Sequence, residues 1–113
     1  PGGDVQCQSM VQLFLNVAEF GMNVQEAIEA PRISTWSFPN SFWPHAYYPN
    51  LVGIEGRLNS DTINSLSKLG HNVDVWDDWS PRMGALCAIE INQDKGTLFG
   101  GADLRRDGYA IGR

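Results

Sequence analysis

The chain has 113 residues, 42% of them hydrophobic and 19% charged, the size and balance of one globular unit rather than of a disordered segment. Thirteen acidic against eight basic side chains give a formal charge of −5, and the densest basic pair, Arg105-Arg106, is flanked by Asp103 and Asp107. A nucleic-acid groove needs clustered cations and a membrane span needs about 20 consecutive apolar residues, so the sequence argues against nucleic acid and membrane as partners.

Residues 1–4, Pro-Gly-Gly-Asp, read as a turn feeding a helix in which Val5, Met10, Leu13, Phe14, Val17 and Phe20 recur at helical spacing up to Gly21. A second helix starts at once. Asn23 and Glu26 stand in capping-box spacing, the helix runs from Val24 to about Ala30, and Pro31 ends it because its ring cannot continue the hydrogen-bond ladder. Residues 36–49 change character, with six aromatics interleaved among Pro39, Pro44 and Pro49, and this pattern predicts an ordered aromatic loop. Leu51 to Glu55 reads as a short strand. A helix follows over Asp61 to Leu69, capped by Asn59 or Ser60 and stopped by Gly70, and then the alternating stretch His71 to Trp76 reads as a half-buried strand. Ala85 to Ile91 and Thr97 to Ala102 form a predicted hairpin with Gly96 in its turn, and one more short strand is expected near Tyr109 to Ile111. Helices, then helix and strand, then hairpin make an α+β layer architecture, a single domain or fragment over 1–113.

Candidate chemistry begins at Pro1-Gly2-Gly3. Two glycines before a helix start let backbone approach a ligand, and adjacent N–H groups there can stabilise negative charge; glycine pairs before helices are also ordinary turns. Cys7 and Cys87 sit among apolar neighbours and are expected to be buried thiols acting as small hydrophobes. Asp103, Arg105, Arg106 and Asp107 read as a structural turn with charges pairing to each other and to backbone. His45 and His71 have no ligand spacing around them, so no metal is expected, and no cofactor motif is present. Thr35, Thr62 and Thr97 read as surface or strand threonines.

Longer patterns carry more. Pro1-Gly2-Gly3, then Val11 to Val17 (VQLFLNV), Phe20-Gly21-Met22-Asn23 and Gln25 to Arg32 (QEAIEAPR) resemble the small subunit of the gamma-glutamyltranspeptidase family. Gly100-Gly101-Ala102-Asp103 with Arg105-Arg106-Asp107-Gly108 is similar to that family's closing signature, and Ile54 to Arg57, Gly70 to Val73 and Arg82-Met83-Gly84 resemble its cephalosporin-acylase-like branch. Leu104 departs from the family's usual proline, and the aromatic loop at 36–49 matches no family pattern. The resemblance implies the C-terminal portion of an αββα N-terminal nucleophile (Ntn) hydrolase sandwich, cut from a precursor by self-cleavage. In that family a newly exposed threonine attacks a gamma-glutamyl amide to give an acyl-enzyme, and water or an amine takes the acyl group. Carried onto this chain, the resemblance makes Gly2 and Gly3 oxyanion-hole donors through their backbone N–H groups. It also implies that the nucleophile, the substrate-gripping residues and the large subunit belong to an upstream part of the same precursor. That upstream part is the expected partner, with self-association a further expectation for the isolated chain. The rival readings are a stand-alone non-catalytic fold and a small anion-binding module built on the same glycines.

Overall fold

The computed structural model describes residues 1–112. Its first helix, α1 (Val5–Ala18), is followed by α2 (Val24–Glu29), whose start is fixed as its sequence suggests. The Asn23 side chain accepts from Glu26 N–H at 2.9 Å while the Glu26 carboxylate accepts from Asn23 N–H at 3.1 Å, so two helix-end donors are satisfied reciprocally. After Pro31 come β1 (Ile33–Thr35) and, beyond the aromatic loop, β2 (Leu51–Glu55), α3 (Ser60–Lys68) and β3 (Asn72–Trp76). A single 3₁₀ turn (Pro81–Met83) leads into the hairpin β4 (Cys87–Asn92) and β5 (Thr97–Ala102).

Two sheets result. The first has the order β1-β2-β3, with β1 antiparallel and β3 parallel to β2; β2, α3 and β3 make a βαβ unit. The second is the antiparallel β4-β5 pair, in which Ile89 stands opposite Gly100 and Ile91 opposite Leu98. Helix α2 covers one face of that hairpin. Val24 and Ile28 pack with Leu86 and Ala88, and a Cβ on Gly101 would lie 2.8 Å from Ile28 Cδ1, so only glycine admits the helix this close. Burial of each large aliphatic side chain in this core contributes about 1.5–3 kcal/mol.

The three-residue strand β1 is absent from the sequence reading, because its span is too short for periodicity to register. Helix α1 stabilises it through two glutamines one turn apart. Gln12 exchanges both amide hydrogen bonds with Ile33 (2.9 Å each), and Gln8 does the same with Thr35 at 2.8 and 3.2 Å. A primary amide carries the same donor and acceptor as a peptide group, so the two side chains stand in for a neighbouring strand along this edge. Gln25 repeats the device against Ala102 N–H and C=O, at 3.0 Å each.

Two expectations fail here. Cys7 and Cys87 are both exposed, not buried. Their apolar neighbourhoods belong to faces that remain largely open: Met10, Val11 and Phe14 along α1, and Ile89, Ile91 and Leu98 on the hairpin face turned away from α2. Tyr109 to Ile111 is irregular rather than a strand. That segment crosses the face of the hairpin, where Ala110 Cβ comes to 3.3 Å of a Cβ placed on Gly100, instead of lining up along an edge.

What joins the two sheets is a buried set of four charges. Glu55, at the end of β2, is fully buried and accepts a two-pronged contact from Arg105, Nε to Oε1 and Nη2 to Oε2. It also accepts the backbone N–H groups of Arg32 and Ser80 at 2.9 and 3.1 Å. Asp103, just past β5, accepts from Arg32 Nη2 at 2.7 Å, from Arg105 Nη1 at 3.1 Å and from Leu86 N–H at 2.9 Å. Both guanidinium groups donate onward to Ile28 C=O, at 2.8 and 2.9 Å, and Arg105 also to Ala30 C=O, where the carbonyl end of α2 favours cations. Burial pushes the Asp103 carboxyl up, but the Arg105 N–H, the Arg32 charge and the Leu86 N–H together hold it below the usual carboxylate range. Burial and the neighbouring Arg105 charge lower Arg32, whereas contacts with Glu55 and Asp103 outweigh burial and raise Arg105.

The sequence reading of 103–107 as a self-paired turn therefore captures the Asp103–Arg105 pair and misses the partners Glu55, Arg32, Ala30 and Ile28, which lie 50 to 77 residues away. Removing one member of such a buried set leaves the others uncompensated, so Asp103→Asn is expected to cost about 3–5 kcal/mol of folding stability. A carboxyl lowered by folding gives stability that is present above its ordinary value and lost as pH falls through the folded one. Calorimetry should accordingly show the melting temperature falling less steeply below pH ~4 in the variant than in the wild type. A cost under about 1 kcal/mol, the value of a surface pair, would contradict this assignment.

Candidate functional site

The turn that launches α1 is unusual in its backbone. Gly2 and Gly3 both take positive φ angles, +125° and +54°, which side chains rarely tolerate. Their carbonyls accept from Val5 and Gln6 N–H at 3.1 and 3.0 Å and start the helix. Among the described residues their own N–H groups donate to nothing, and both residues are exposed. Two adjacent, unspent donors therefore lie at the positive end of a 14-residue helix.

Three contacts fix this turn. Gly84, at φ +75°, lies so close behind it that a Cβ there would come to 2.5 Å of Pro1 C=O. The preceding carbonyl, that of Met83, accepts from Ser9 Oγ at 2.9 Å and from Arg32 Nη1 at 3.3 Å, so the brace is anchored both to α1 and to the buried charges. In front, the ring of the aromatic loop's Phe42 stands 3.1 Å from where a Cβ on Gly3 would be. Asp4, the N-cap residue of α1, uses its carboxylate on this loop rather than on its own helix: it accepts from Ser41 N–H at 2.7 Å and from Ser41 Oγ at 2.5 Å. Those two bonds hold its carboxyl below the usual range.

The structure thus brings Gly2 and Gly3 together with Gly84, Phe42 and Ser41, none of which sequence reasoning assigned to a site. Arg82-Met83-Gly84 had a signal as a motif, but contact across some eighty residues has none in a single sequence. The aromatic loop is folded, in part, against the glycine turn through Phe42 and Ser41. His45 is turned into its own loop, with Nδ1 2.8 Å from Asn40 C=O. No group of three or more potential metal ligands occurs among the described residues. Thr35 and Thr97 lie in β1 and β5, and Thr62 in the first turn of α3.

The fold is that of part of an Ntn-hydrolase sandwich: superposition on the crystal structure of cephalosporin acylase from Bacillus halodurans gives a TM-score of 0.80 at 29% identity, over 96% of this chain and 18% of that one. A structure described as LmbA2991HD matches more closely, with a TM-score of 0.92 and 39% identity over all of this chain and 20% of that one. The gamma-glutamyltranspeptidase family model matches residues 1–113, and the chain belongs to that family. Among its relatives, the glutathione hydrolase-like YwrD proenzyme of Bacillus subtilis is 37% identical over 98% of this chain and 20% of its own length. The oxamate amidohydrolase proenzyme of Klebsiella pneumoniae is 34% identical over the same shares. The chain spans about a fifth of the length of these relatives.

The Asp4–Ser41 tether sets a pH dependence for the aromatic loop. Because folding lowers the Asp4 carboxyl, the tether is intact above the ordinary carboxylate value and is lost as pH falls through the folded value. Asp4→Ala is expected to speed hydrogen exchange across residues 40–48 at pH 7, with the difference from wild type closing at the most acidic pH tested. Equal exchange at pH 7 would show that the tether does not hold the loop.

Proposed function

We propose that this chain works within a longer, self-cleaving precursor that breaks gamma-glutamyl-type amides, and that Gly2 and Gly3 supply its oxyanion hole. The observation that carries the reading is the pair of free N–H groups at adjacent positive-φ glycines on a helix N-terminus. In the reaction a threonine hydroxyl from outside this chain adds to the amide carbonyl. The C=O electron pair moves onto oxygen, and the two N–H groups stabilise the resulting oxyanion. Collapse re-forms the carbonyl and expels the amine, which takes up a proton, leaving a threonyl ester that water or an acceptor amine then cleaves. The relatives' names, glutathione hydrolase-like and oxamate amidohydrolase, support amide hydrolysis as the reaction class.

Gly3→Val in the full-length precursor tests the assignment. A β-branched side chain opposes φ +54° and would strike Phe42, turning the N–H away. Loss of one oxyanion donor costs about 10²–10³-fold in rate, so acylation is expected to fall at least a hundredfold with a smaller change in substrate affinity, since the oxyanion exists only beyond the ground state. Acylation within threefold of wild type, in a variant that melts like wild type, would reduce Gly3 to a turn residue.

The open faces support the second half of the proposal. Phe14 is 67% exposed on α1, and Ile89, Ile91 and Leu98 are 68–69% exposed on the hairpin, a concentration of apolar surface that a partner normally covers. We assign that cover to the upstream part of the same precursor. The 113-residue chain produced alone is therefore expected to bind a hydrophobic dye strongly or to self-associate, and to release no product from a gamma-glutamyl anilide. A monodisperse, dye-silent monomer would argue for a self-contained domain.

A further inference from the structure

Beside Gly2 lies a cavity of about 460 Å³ that the proposed chemistry does not use. Its size suits a small organic group rather than a water cluster or a protein segment. Three aromatic side chains wall it: Trp36 and Tyr48 from the two ends of the aromatic loop, and Trp76 from the end of β3. Val5 and Leu51 complete an apolar floor, and Asp74 and Arg82 stand at the rim.

The Trp76 ring is held in place from three directions. Its Nε1–H donates to Asp74 Oδ2 at 2.7 Å, and the Arg82 guanidinium stacks 5.0 Å from its centroid. Beneath it, the backbone of β2 is bare at Gly53, where a Cβ would fall within 2.7 Å of three ring atoms. No positive φ accounts for that glycine, so the ring itself is the reason for it. The opposite wall is fixed by backbone: Trp36 N–H donates to Leu51 C=O at 2.9 Å and Tyr48 N–H to Trp36 C=O at 3.1 Å. A half-buried tryptophan set this firmly, over a strand emptied to receive it, is pre-organised before any ligand arrives. Arg82 completes the mouth; its side chain is 66% exposed, and Asp74, its nearest carboxylate, is at the 4.0 Å limit of an ion pair.

We propose that this cavity is a subsite for a planar aromatic group of the amide substrate, carried one short link from the carbonyl that docks at Gly2 and Gly3. Rings stack on the Trp and Tyr walls in offset or edge-to-face geometry, and an apolar cavity so lined favours a flat ring over an aliphatic chain of equal length. The proposal rests on the oxyanion reading for the position of the carbonyl. The ring could arrive on the amine side or the acyl side of the scissile bond, and the test separates the two.

The experiment uses the processed full-length enzyme, as wild type, Trp76→Ala and Trp76→Phe. Turnover of gamma-glutamyl anilide (ring on the amine), phenylacetyl methylamide (ring on the acyl group) and gamma-glutamyl methylamide (no ring) is compared. In Trp76→Ala the kcat/KM ratio of one aromatic amide to the aliphatic one is expected to fall at least tenfold, mainly through KM, with most of the ratio restored in Trp76→Phe. Which aromatic amide loses ground identifies the side. A parallel fall for all three amides would make Trp76 a structural residue and overturn the proposal. Binding provides a readout free of turnover: acetanilide and phenylacetate titrated calorimetrically should include one ligand that weakens at least tenfold in Trp76→Ala. Gly3→Val should keep that binding while losing acylation, which distinguishes failure of the subsite from failure of the oxyanion assignment. Absence of binding to wild type by both probes up to millimolar concentration would mean that the precursor fills the cavity itself, and would equally overturn the subsite.

Discussion

Everything in this fold hangs on the pairing of Glu55 with Arg105. The carboxylate ends a strand of one sheet, and the guanidinium lies just beyond the last strand of the other. With Asp103 and Arg32 they form two acids and two bases, balanced in charge, so their burial leaves no net ion out of water. The same atoms satisfy backbone donors at Arg32, Ser80 and Leu86 and backbone acceptors at Ile28 and Ala30. An aliphatic core of matching volume would fill the space but would leave those five peptide groups without partners. Charge here is the means by which irregular segments, which cannot pair with one another, are satisfied in the interior.

This arrangement reaches the glycine turn in two steps. Arg32 holds the Met83 carbonyl, and Met83 presents Gly84 to the back of Pro1 and Gly2. A loop that carries unspent backbone donors cannot hold its own shape with those donors, so its geometry has to come from neighbours. Gly84 behind, Phe42 in front and the Asp4–Ser41 bonds at the side provide it. Substitutions in the buried charges are thus expected to be felt at the turn even when the glycines are untouched.

Much of this was legible in the sequence, and the part that was not has a common cause. The capping box at Asn23, the strand at 51–55, the helix after Asn59 and the hairpin around Gly96 are local features, each written in residues a few positions apart. The family was also legible, because its motifs keep their order along the chain. Strand β1 is too short to show a periodicity, and the groups that complete it belong to Gln8 and Gln12 side chains on a helix. Cys7 and Cys87 were misplaced because apolar neighbours report that a face is buried somewhere, not that it is buried within these residues. The cluster around Glu55 and the Gly84 brace were invisible for a third reason: Glu55 reads as one more strand-end acid until the fold brings Arg105 to it. The candidate glycines themselves were named from their pattern, whereas the residues that shape them came only from the structure.

The glutamine ladder on β1 gives the three-stranded sheet a direction. Ile33 and Thr35 point their peptide groups outward, and all four of those groups are taken by α1, while Ser34 faces inward to Gly53. A strand arriving at that side would find no donor or acceptor unspent and a helix in its way. At the other margin β3 has a neighbour on one side only, and its second row of peptide groups is unclaimed by any strand among the described residues. Growth of the sheet is therefore one-sided: any further strand can add at β3 and not at β1. Two amides on a helix act as a terminator, and they leave the sheet a single growing end.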